Sequence, residues 1–75
     1  MERERFGKEL ISKLEENNYS VTFTGGFDET GSLTITNSNS PISPFFIFEQ
    51  LYDMFKTDYN MNHIIKFICD SIIDN

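Results

Sequence analysis

The sequence predicts an α+β domain: a helix, an antiparallel β-hairpin with a candidate short third strand, then two helices packed on one face of the sheet. Three observations lead there. The apolar residues recur at helical spacing at the start of the chain, switch to strict alternation in the middle, and return to helical spacing at the end. A chain of 75 residues holds one domain, 1–75, with no room for a second core.

The first helix is expected over residues 2–17. Phe6, Leu10, Ile11 and Leu14 fall on one face, and Arg, Lys and Glu cover the remainder. Asn17-Asn18 suits its end, because Asn tolerates the left-handed conformation. The period then becomes two. Tyr19, Val21, Phe23 and Phe27 point one way and Ser20, Thr22 and Thr24 the other, while Leu33 and Ile35 alternate with Ser32, Thr34 and Thr36.

Between the two strands, Asp28-Glu29-Thr30-Gly31 has the Asp and Gly positions of a type I turn followed by a left-handed bulge. A hairpin closed there would set Phe27 opposite Leu33 and Gly25 opposite Ile35. Gly25-Gly26 then reads as a bulge or a gap under a crossing helix, or as a flexible tip carrying Phe27, Asp28 and Glu29 to a partner. Gly26 and Gly31 have the spacing of a phosphate loop, but Ser32 stands where its lysine belongs and Asp28 and Glu29 would repel phosphate.

Asn37 to Ser43 is a polar connector in which Pro41-Ile42-Ser43 is the candidate edge strand. Ser43-Pro44 has the chemistry of a helix start, so the second helix is expected over 44–57. Its core stripe is Phe45, Phe48, Leu51, Tyr52 and Phe55. Glu49 and Asp53 share the polar side, Phe46 is misplaced among polar residues, and Ile47 and Met54 make a second apolar patch. The third helix is expected over 60–74, with Met61, Ile64, Ile65, Ile68, Cys69 and Ile72 inward and Phe67 stranded beside His63 and Asp70.

Composition narrows function. One cysteine and one histidine exclude a Cys/His zinc site, and no cofactor is expected. Glu49 and Asp53 form an acid pair on one helical face, yet nothing polar converges on them, and no catalytic residue is assigned. Cys69 reads as a small hydrophobe and His63 as a surface residue. The charged first seventeen residues are no secretion signal and no apolar run reaches spanning length, so a cytoplasmic protein is expected. Abundant Ile, Asn and Phe with no Ala suit a low-GC bacterium or its phage.

Net charge is −6, and residues 18–75 set seven acids against Lys56 and Lys66. That sign repels nucleic acid and anionic membrane and favours a basic protein partner. Phe46, Ile47, Met54 and Phe67 exceed what the core arcs need and mark a candidate apolar interface, with a homodimer as one user of it.

NYSVTFTG after an amphipathic helix, then LTITNSNS, then two helices, resembles the small phage-encoded anti-CRISPR inhibitors of type II-A nucleases. The resemblance implies a non-enzymatic inhibitor that fills a basic, duplex-reading cleft with acids imitating phosphates. Phe27, Asp28 and Glu29 on the hairpin, with Glu49, Asp53 and Asp58 around the second helix, would then meet the partner. That group is dense in acids between its last two helices, whereas Thr57-Asp58-Tyr59-Asn60 holds one. The alternative is a small homodimeric structural or adaptor protein using the apolar patch.

Overall fold

A computed structural model describes residues 2–38, 40 and 42–73. The order is α1 (Arg3–Glu16), β1 (Ser20–Thr24), β2 (Ser32–Thr36), β3 (Phe45–Ile47), α2 (Phe48–Asp58) and α3 (Met61–Ile73). The strands form an antiparallel sheet in the order β1-β2-β3. This is the α+β architecture the alternating periods predict.

The sheet has two unlike faces because side chains alternate along each strand. Val21, Phe23, Leu33, Ile35 and Phe46 turn inward and join the core with the three helices. Ser20, Thr22, Thr24, Ser32, Thr34, Thr36, Phe45 and Ile47 form the outer face. Phe6 sits at the centre, fully buried, with its ring 4.8 Å from Phe55, 5.5 Å from Tyr52 and 5.8 Å from Phe48. Burying such a ring removes about 150–250 Å² from water, which makes this cluster the main source of stability in a chain without a disulfide.

Helix α1 ends as its Asn pair predicts: Asn18 adopts φ 68° and Tyr19 N–H bonds back to Leu14 C=O at 3.1 Å. The Asn17 amide also donates to Lys13 C=O at 2.8 Å. Between α2 and α3, Tyr59 takes the left-handed conformation at φ 51°, and Asn60 accepts from Asn62 N–H at 3.0 Å to start α3.

Three expectations are corrected. Leu33 pairs with Phe23 and Ile35 with Val21, so the register lies four residues from the one the turn chemistry suggests. An even shift keeps each side chain on its face, which is why the apolar pattern could not distinguish the two. The Asp28–Gly31 turn does form, with Gly31 N–H to Asp28 C=O at 3.1 Å, but it sits inside a longer loop. Gly25, at φ 81°, ends β1 and turns the chain back, and Phe27 packs against Phe23, with ring centroids 4.7 Å apart.

The third strand is Phe45–Ile47; Ile42 and Ser43 lie outside any strand, and Pro41 falls outside the described residues. Accordingly α2 begins at Phe48 rather than 44, with Ile47 extended at its start and no Ser43 cap. Burial explains the change. Extended backbone sends Phe46 to the core and Phe45 and Ile47 outward, whereas a helix would leave Phe46 among polar residues. Phe45 therefore leaves the expected core stripe and is 60% exposed.

Candidate protein-binding surfaces

The hairpin loop is held by its own side chains. The Asp28 carboxylate accepts from Thr30 N–H at 2.8 Å and from the Thr30 hydroxyl at 2.5 Å, and Gly26 N–H donates to that hydroxyl oxygen at 3.1 Å. These bonds favour the charged carboxylate and hold the Asp28 pKa below its ordinary value. Phe27 anchors the loop from inside, with its ring 5.5 Å from Phe48 and close against Gly7 of α1. The glycine pair thus serves a braced loop rather than a flexible tip.

Beside this loop lie the starts of α1 and α2. Arg3 Nη2 and Nε donate to one Glu49 oxygen at 2.8 and 3.1 Å, and the guanidinium lies 5.4 Å from the Tyr52 ring centre. Glu49 raises the Arg3 pKa through that hydrogen bond and its charge, and Glu29 adds to the effect; Arg3 in turn helps depress Asp28. Asp28, Glu29 and Glu49 therefore lie near Arg3 at one end of the molecule.

The other two acids differ in position. Asp53 pairs with Lys56 at 3.4 Å, one turn along α2. Asp58 is nine residues from Glu49, about half a revolution around the helix, and bonds His63 Nδ1 at 2.5 Å. The structure thus gathers Asp28, Glu29 and Glu49, leaves Asp53 one turn along α2 on the same side as Glu49, and puts Asp58 on the far side of α2.

Three of the four apolar residues gather on one flank. Phe46 and Phe67 meet with ring centroids 5.8 Å apart, joining β3 to α3. Met54 lies one turn before Asp58, and Phe67 one turn after His63, so the Asp58–His63 bond sets Met54 and Phe67 on one flank. Ile47, the last residue of β3, turns instead to the outer face of the sheet. Phe67 is 43% exposed, and Ile47 and Met54 are each 36% exposed.

Comparison with family models, with curated proteins and with solved structures finds no match to this chain.

Among the described residues no polar side chain is buried, no group of three His, Cys, Asp or Glu could hold a metal, and no helix is long and apolar enough to cross a membrane. A shallow concavity on the outer side of α1, lined by Glu2, Glu4, Arg5, Lys8, Glu9 and Ser12, has mixed charge and no convergent set of reacting groups. Cys69 is half-buried and meets the Tyr19 hydroxyl, a bond that with burial raises the Tyr19 pKa.

Sequence reading missed Arg3, Phe45 and the Tyr19–Cys69 contact. Arg3 and Glu49 are 46 residues apart, so no local spacing announces them. Phe45 was legible in principle, since Phe46 fits the core only if its neighbours point outward.

Proposed function

We propose that the chain is a non-enzymatic protein-binding domain that inhibits a nucleic-acid enzyme by occupying its basic cleft in the host cytoplasm. Small phage-encoded anti-CRISPR inhibitors of type II-A nucleases are the pattern for this reading. The observation that carries it is the acidic end, where Asp28 and Glu49 are held in place before any partner arrives and Glu29 lies exposed beside Asp28. Preorganised charge loses little freedom on binding and speeds encounter with a basic surface. The element order of helix, small antiparallel sheet and two helices is the one the resemblance implies, and it supports the same reading.

Because Asp58 lies on the far side of α2, the hairpin and the first turns of α2, Asp53 included, form the leading surface. Glu29 is the cleanest probe, since it is exposed and holds no described element in place. Glu29→Lys should weaken binding to a guide-loaded type II CRISPR nuclease at least tenfold, while Asp58→Lys, on the far side of α2, should change it less than threefold. Equal effects of the two would overturn the assignment of this surface.

A second reading, a homodimeric structural or adaptor protein, is favoured by the gathering of Phe46, Met54 and Phe67 on one flank, with Ile47 exposed on the outer sheet face.

A further inference from the structure

We infer that the free edge of β1 is a docking strand for a basic, extended segment of the partner protein, which adds beside Val21 and Phe23 as a further strand of the sheet. The inference rests on the reading of a basic protein partner, though not on that partner being a nuclease, and it names the backbone that would hold the partner.

The ladder shows which groups are open. Ile35 N–H bonds Pro44 C=O and Phe48 N–H bonds Gly31 C=O, each at 3.0 Å, so Gly31, Leu33 and Ile35 turn their backbone groups toward β3. Ser32, Thr34 and Thr36 therefore turn theirs toward β1, where they face Thr24, Thr22 and Ser20. The direction alternates along β1, which leaves the N–H and C=O groups of Val21 and Phe23 pointing away from the sheet. β1 is the last strand on its side, and no described residue bonds those groups.

The neighbours on either side are committed. Tyr19 N–H bonds Leu14 C=O at 3.1 Å, and Gly25 turns the chain away at φ 81°. The open stretch thus runs from Val21 to Phe23. Their side chains pack inward on the core, so an added strand would meet backbone at the edge and the uncharged row Ser20, Thr22 and Thr24 on the outer face. β1 carries no lysine, proline or bulge, the devices that usually close an edge.

Charge selects the occupant. The chain has no lysine or arginine between Lys13 and Lys56, and acids stand at both ends of β1: Glu15 and Glu16 before it, Asp28 and Glu29 after it. Each end keeps a negative surplus, since Lys13 stands against Glu15 and Glu16, and Arg3 against Asp28, Glu29 and Glu49. A second copy is disfavoured by this pattern. Paired antiparallel, the acidic hairpin end of each chain would lie beside the acidic α1 end of the other; paired parallel, like ends would coincide. A segment with lysine or arginine on both sides of its paired residues meets opposite charge at both ends instead, while its main chain supplies the hydrogen bonds.

The probe is a short peptide of alternating threonine and valine with a lysine pair at each end, titrated into the whole chain and followed by amide hydrogen exchange. At saturation the Val21 and Phe23 amides should exchange at least tenfold more slowly, while Thr22, already bonded to β2, should change less than threefold. Methylating the pairing amides of the peptide, or replacing its lysines by glutamates, should weaken binding at least tenfold, and so should the double variant Glu15→Lys, Glu29→Lys, whose sites are both exposed. No slowing at Val21 and Phe23, equal binding by the methylated or the glutamate peptide, or slowing that follows chain concentration alone would each overturn the docking strand. The nuclease is absent from this experiment. Peptide binding by a chain that ignores the nuclease would reject the inhibitor reading and keep the strand, and the reverse would reject the strand alone.

Discussion

Gly25 and Gly26 are neighbours with different duties, and substitution should separate them. Gly25 is at φ 81°, and a Cβ there would press on the Thr30 carbonyl, so Gly25→Ala should cost about 1–3 kcal/mol in urea unfolding. Gly26→Ala would bring its Cβ only to within 3.2 Å of a movable Asp28 oxygen and should cost distinctly less. Equal losses would contradict the geometry of this loop. Asp28 adds a pH signature. Its pKa is lowered on folding, chiefly by the Thr30 hydrogen bonds, so its contribution is present above its ordinary value of 3.8 and is lost as pH falls through the lower folded value. Asp28→Asn should flatten that part of the stability–pH curve, measured by thermal unfolding between pH 2 and pH 5. A mutant curve parallel to the wild type would remove Asp28 from the account.

At the scale of elements, β3 is the most informative piece. The expectation of a helix from residue 44 rests on Ser43-Pro44, a sound local signal that tertiary burial overrides. The two readings make opposite demands on neighbouring residues. Phe46→Ala should destabilise by about 2–3 kcal/mol, because Phe46 packs on the core and touches Phe67, while Phe45→Ala should change the folding free energy by less than about 0.5 kcal/mol. The reverse order would restore a helix beginning at 44. Both measurements belong at low protein concentration, where self-association does not contribute.

Legibility in the sequence followed the range of the interaction. The arcs of α1 and α3, and the alternation of β1 and β2, are local patterns imposed by burial, so they could be read directly. The hairpin register could not, because a shift of four residues satisfies the same alternation and only the backbone of Gly25 and the packing of Phe27 choose between them. The acidic end was half legible. Asp28 and Glu29 stand together in sequence, but their approach to Glu49 depends on Arg3 and on how α1 meets α2, which no spacing encodes.

As a whole, the molecule separates its surfaces: an acidic end at the hairpin and helix starts, a charge-free sheet face, and an apolar flank beside β3. An exposed acidic contact is screened by salt, so affinity for a basic partner should fall steeply as ionic strength rises from about 0.05 to 0.5 M. A partner affinity indifferent to salt would shift the weight to the apolar flank. The central claim is that the acidic end fills a cleft that nucleic acid otherwise occupies. Its most direct test is binding to a guide-loaded type II CRISPR nuclease with and without target DNA already in place. The account predicts binding to the DNA-free enzyme and its loss once DNA is bound; equal binding to both forms, or to neither, would contradict it.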